Sequence, residues 1–211
     1  MRKLMDSRLW RGVGYVLDYF FLNMLWILCC IPVFTIGAAT TGAYYASLRL
    51  MNEDDDAVIQ NFFKSFKSNF TQATLLWLLV LAVAAFLALD ISLCFRYSQV
   101  SQTLIAVVFI MLVCIAFLLL LTVLYLFPLQ SWFDNTLMVT LRNALVLGVH
   151  HFGWSIALLL SDALVILIAL CVKGMILFAP GMLFAWNGFI FKRIFSQYIS
   201  QTSEGAQNND I

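Results

Sequence analysis

Asp162 and Asn23 are the side chains whose chemistry is hardest to reconcile with their neighbours. Asp162 follows Ile156-Ala-Leu-Leu-Leu-Ser161 and precedes Ala163-Leu-Val-Ile-Leu-Ile168, while Asn23 sits between Tyr19-Phe-Phe-Leu22 and Met24-Leu-Trp-Ile27. Each lies about eight to ten residues into an apolar run, which at about 1.5 Å per residue is close to the middle of a bilayer. An Asp at the centre of a membrane helix costs about 2.5 to 3.5 kcal/mol on insertion scales, so its carboxylate needs a donor or a proton of its own. Asn23 can supply that donor, as can Ser161 or a threonine of the stretch Ile31 to Leu50. That stretch, IPVFTIGAATTGAYYASLRL, carries Thr35, Thr40 and Thr41 among Pro32, Gly37 and Gly42. Short membrane segments interrupted by Gly and Pro form transporter binding sites, and they also serve as close helix seams. Asp162, Asn23, Thr35, Thr40 and Thr41 are therefore the candidate binding residues. The chemistry would be a proton relay or the capture of a polar solute, against the plainer alternative of a tie between helices.

The remaining reactive groups point to no catalysis. Glu53, Asp54, Asp55 and Asp56 are consecutive, so on a helix they diverge, and they suit the positive end of a helix dipole better than a metal. His150 and His151 lack a third donor nearby, which makes a weak metal site. Cys29, Cys30, Cys94, Cys114 and Cys171 lie within or beside apolar runs without C-x-x-C spacing and are read as packing residues. H-E-x-x-H, G-x-S-x-G and G-x-x-x-x-G-K-[ST] patterns are missing. The chain is thus expected to be no enzyme, to use no cofactor or metal, and to leave any ATP hydrolysis to another chain.

The elements that position these groups follow from composition. With 63% hydrophobic and 11% charged residues in 211, the chain cannot cover itself with a polar surface. It is expected to be an all-α, polytopic membrane helix bundle forming one transmembrane domain over residues 1–200, with a disordered polar tail over 201–211. The apolar run from Val13 to about Ile31 follows Arg2, Lys3, Arg8 and Arg11. It is longer than a signal-peptide core and lacks a small-residue cleavage pair, so it reads as an uncleaved first span. Thr74 to Phe95 and Leu104 to Phe127 form one hairpin about the turn Arg96 to Thr103, and Trp154 to Val172 and Gly174 to Phe191 form another about Lys173 and Gly174.

Two amphipathic helices are predicted to lie on the membrane surface. In Asn52 to Ala73, Ile59, Phe62, Phe63, Phe66 and Phe70 recur at helical spacing, with Gln60, Asn61, Lys64, Lys67 and Ser68 opposite. In Leu129 to His150, Leu129, Trp132, Phe133, Leu137, Leu141 and Leu145 form the apolar side, while Gln130, Asp134, Asn135, Arg142 and Asn143 are mostly opposite. Phe62, Phe63, Phe66, Phe70, Trp132 and Phe133 are the candidate surface for lipid or a partner.

Charge decides whether Ile31 to Leu50 crosses. If it does not, the twelve cations divide six and six across the membrane. If it does, Arg2, Lys3, Arg8, Arg11, Arg49, Lys64, Lys67, Arg142, Lys192 and Arg193 fall on one side and only Arg96 and Lys173 on the other. The positive-inside rule selects six crossings, the second short and rich in Gly and Thr, with both termini and both surface helices cytoplasmic.

Several stretches also resemble a known family. Asn23 with Trp26, Pro32-x-x-Thr35-Ile36-Gly37-Ala38-Ala39 leading to Ala43-Tyr44-Tyr45, Phe63-x-x-Phe66-x-x-Asn69-Phe70-x-Gln72-Ala73, and Leu141-Arg142-Asn143-Ala144 are similar to the YesL-type family of small bacterial membrane proteins of unknown function. The resemblance runs from about Leu9 to Ser196 and brings no established catalytic residue. It implies an accessory role in carbohydrate uptake or its regulation in the bacterial plasma membrane, with membrane lipid and ABC transporter subunits as partners and no nucleic acid. The alternative expectation is a small independent transporter or channel running past Asp162 and Asn23.

Overall fold

The computed structural model describes residues 8–52, 57–96, 102–172, 175 and 178–207, and among them it is helical throughout with no strand. The helices are α1 (Arg8–Cys30), α2 (Ile36–Met51), α3 (Val58–Ser68), α4 (Phe70–Arg96), α5 (Gln102–Trp132), α6 (Leu137–His150), α7 (Phe152–Cys171) and α8 (Ala179–Gln207), with a 3₁₀ turn at Val33–Thr35. Three are long and apolar enough to cross a membrane: Phe70–Arg96, Ile105–Trp132 and Phe152–Cys171. Their outward residues, such as Phe86, Leu89, Ile110, Leu164 and Leu170, are exposed in the isolated chain. That suits an apolar solvent and would be costly in water.

The core forms around α2. Its composition explains why: Gly37, Ala38, Ala39, Gly42, Ala43 and Ala46 are buried and give it almost no girth, so neighbours approach at backbone distance. A Cβ on Gly37 would lie 2.5 Å from the Ala73 carbonyl oxygen and 2.7 Å from Trp77 Cβ, and one on Gly42 would lie 3.0 Å from the Phe62 carbonyl oxygen. Tyr125, Phe62, Phe191, Phe195 and Leu22 fill the remaining space and are fully buried.

Contacts fix the helix directions. Tyr19 bonds Ser47 at 3.1 Å and Trp26 bonds Thr40 at 3.1 Å, so α1 is antiparallel to α2. The Ser47 hydroxyl donates to the Phe184 carbonyl at 3.0 Å, and Lys192 reaches the Met51 carbonyl at 3.5 Å, so α8 runs with α2. Trp77 against Phe127 and Phe95 against Phe109 make α4 and α5 an antiparallel pair.

The two short helices differ from the expected surface helices. α3 starts at Val58, ends where Asn69 turns its amide back to the Ser65 carbonyl, and makes extensive contact with α2. α5 continues through Pro128 to Trp132, and α6 begins only at Leu137, folding back along α5 until Gly148 meets the Leu121 backbone. Each short helix thus returns along the helix before it and hands over to a long apolar one, giving two similar units, α2–α3–α4 and α5–α6–α7. Their junctions are tied together by side chains. Gln72 donates to Gln130 Oε1 at 3.0 Å and to the Asn135 carbonyl at 2.7 Å, Gln130 donates to Asn69 Oδ1 at 3.0 Å, and Thr140 donates to Gln130 Oε1 at 3.3 Å. Gln130, expected on a solvated face, is therefore buried.

α8 extends through Gln207, into the stretch expected to be a disordered tail from Gln201. Glu53, Asp54, Asp55 and Asp56, with their expected role at a helix end, lie outside the described residues, as do Lys173 and Gly174 of the last turn.

Candidate functional site

Asp162 lies midway along α7 facing α8. Its carboxylate oxygens accept hydrogen bonds from the Asn187 amide nitrogen at 3.0 and 3.2 Å, and the same nitrogen lies 3.5 Å from the Tyr44 hydroxyl on α2. The expected donor, Asn23, plays no such part: it is fully buried on α1, and neither of its amide atoms has a hydrogen-bond partner. The reason is geometric, because Asn187 and Asp162 stand at comparable distances on either side of the turn joining α7 to α8 and so meet when the two helices pair.

The threonines separate in the same way. Thr40 accepts the Trp26 indole N–H and lines a cavity with Asp162. Thr35 donates to the Cys29 and Pro32 carbonyls and closes the 3₁₀ turn. Thr41 donates to the Gly37 carbonyl at 3.0 Å within its own helix. Thr35 and Thr41 thus spend their hydroxyls on nearby backbone carbonyls and not on Asp162.

The cavity, about 380 Å³, lies between α1, α2, α7 and α8. At its polar end stand Asp162, Asn187, Tyr44, Thr40 and Trp26, and the rest of its wall is apolar, with exposed Ile166 and Leu170 of α7 at its rim. Phe184 adds a ring 5.0 Å from Tyr44 and 5.7 Å from Trp26, close to perpendicular to both. Asn187 Oδ1 is buried without a partner. Trp26 and Tyr44 stand out in the sequence only within the family-like stretches, and for Asn187 the one signal is its distance from the turn, which matches that of Asp162. A second cavity of about 420 Å³ between α1 and α8, lined by Tyr15, Phe20 and Met182 among others, holds no charged side chain.

Of the expected partner surface Phe62 alone is buried, and the other five residues are half-buried. Phe62 is fully buried and stacks on Phe66 at 5.9 Å, while Phe63, Phe66 and Phe70 are half-buried in the same ring cluster. Trp132 and Phe133 pack on Phe195 at 5.5 and 5.7 Å. An apolar stripe specifies burial but not by what, and here α2 offers a protein face free of large side chains. Asn61, expected on the polar side of α3, is buried, as is Ser65. His150 and His151 place their rings 4.8 Å apart.

Residues 19–91 match the family described as "Protein of unknown function, DUF624". This segment contains α2, α3 and the Trp26–Thr40 pair. The uncharacterized protein YesL of Bacillus subtilis (strain 168) is 32% identical over 124 residues, 57% of this chain and 56% of that protein. Over these stretches the chain is similar to the YesL-type proteins, a family of unknown function. The aligned part spans little more than half of its YesL relative. No solved structure matches the chain significantly. Within the YesL-type frame, Asp162 and Asn187 lie beyond the matched segment, and Trp26, Thr40 and Tyr44 lie inside it.

Proposed function

We propose that the chain is a non-enzymatic accessory protein of the bacterial plasma membrane, crossing six times and docking to another membrane system, with ABC-type carbohydrate import as the system that the family resemblance implies. Support for the six crossings comes from direction. α1, α4 and α7 run one way and α2, α5 and α8 the other, as six alternating spans require, and Arg49 and Lys192 come to one end.

The observation that carries the docking role is the outer face of α6. This helix is too short to span and is held to α5, yet it presents Met138, Val146 and Val149 outward at 70%, 54% and 50% exposure. An apolar face left open beside a fixed helix fits a transmembrane subunit of a partner. Replacing Met138 and Val146 together by Ser should diminish the proteins recovered by crosslinking in native membranes, while thermal stability in detergent changes little. An unaltered set of captured proteins would count against the docking role.

The Asp162 cavity favours a second reading, a small transporter. Asp162→Asn should then abolish proton or solute flux in vesicles, whereas under the accessory role there is no flux to lose.

A further inference from the structure

The polar end of the α1–α2–α7–α8 cavity has an unbalanced set of groups. Its nitrogen donors are spent inside the protein: the Trp26 indole N–H goes to Thr40 and the Asn187 amide to Asp162, which leaves only the Thr40 and Tyr44 hydroxyls as neutral donors. Its one charged group is the Asp162 carboxylate, and beside it the Asn187 carbonyl oxygen is buried and unpartnered on a side chain only 2% exposed. Among the described residues no Lys or Arg side chain pairs with that carboxylate. A half-buried anion without a cationic partner, next to an orphaned carbonyl, calls for a positively charged donor.

The walls match. Trp26, Tyr44 and Phe184 come from three different helices and stand nearly at right angles in pairs. Aromatic rings gathered around an acceptor are attractive to an ammonium, whose charge sits against their electron-rich faces. Ile166, Leu170 and Leu183 continue the cavity as an apolar slot, and its volume of about 380 Å³ lies within the range of small-molecule pockets. A carbohydrate would find few donors and little polar wall there.

We propose that this cavity binds an organic ammonium ion with an apolar body, the ammonium held by Asp162 and Asn187 among Trp26, Tyr44 and Phe184. The site goes beyond the docking role and does not depend on it, since its ligand can be bound whether or not a partner is present.

The test uses the purified full chain in lipid nanodiscs and a matched pair of probes, 4-phenylbutylammonium and the neutral 4-phenylbutanol, with maltose as a carbohydrate control. Calorimetric titration should show saturable binding of the ammonium, much weaker binding of the alcohol and none of maltose. Asp162→Asn should weaken ammonium binding by roughly tenfold or more, and Trp26→Leu by about threefold to tenfold, with alcohol binding scarcely altered by the first. Equal affinity for the two wild-type probes would overturn the proposal without any variant, as would ammonium binding that survives Asp162→Asn. Preference for maltose would overturn it in favour of a sugar site. None of these outcomes touches the crosslinking result on α6, so the two proposals stand or fall separately.

Discussion

Gly37 and Asn23 show opposite consequences of burial at the residue scale. Gly37 permits the approach of α2 to α4, and a methyl group there would collide with the Ala73 backbone, which cannot rotate away as a side-chain end could. Gly37→Ala should therefore destabilise the protein by about 1 to 3 kcal/mol, the usual penalty of overpacking, seen as a lower unfolding temperature in detergent; an unchanged midpoint would mean the two helices are not in contact there. Asn23 is fully buried with both amide atoms unpaired, and such groups cost about 1 to 3 kcal/mol of desolvation. Asn23→Leu is expected to hold or raise the unfolding temperature and to leave ammonium binding intact. A fall in both would return Asn23 to the binding site. Asp162 could be recognised from sequence because a carboxylate amid leucines is conspicuous. Its partner is harder to read, since the matching distance of Asn187 from the turn selects it over other amides and hydroxyls at similar depth only once α7 and α8 are known to pair.

The short helices carry the lesson at the element scale. Their 3.6-residue periodicity was legible, and α3 and α6 exist close to where the apolar stripes placed them. What the stripes could not convey was the receiving surface, because hydrocarbon and a Gly/Ala helix face reward the same pattern. The breaks at Asn69 and after Trp132 were missed for a related reason: Asn69, Gln72 and Gln130 look like surface residues until they are seen bonding one another across the two units. Gln130 is the hub, touching Gln72, Asn69 and Thr140. Gln130→Ala should strand these partners and lower stability by about 1 to 3 kcal/mol, and hydrogen exchange should quicken at both junctions together. Quickening at the α5–α6 junction alone would show that the two units are not coupled through this residue.

At the scale of the whole molecule, the proposed six crossings rest on two features, the alternating direction of the helices and the sorting of cations that such crossings would give. α1, α2 and α8 have shorter or more polar apolar stretches than α4, α5 and α7, and sixteen residues of α2 reach about 24 Å, less than the roughly 30 Å hydrocarbon core. In the proposed six-span layout α2 meets protein on its sides, so its shortness would be bounded by helices and not by lipid. Single cysteines in a cysteine-free background test this layout: Gln60→Cys on the exposed side of α3, and Val172→Cys at the far end of α7. An impermeant maleimide applied to intact cells should label position 172 and spare position 60, which should react only after permeabilisation. Labelling of position 60 in intact cells with position 172 protected would mean that α2 turns back without crossing, leaving the cations evenly divided across the membrane and the positive-inside rule without force for this chain.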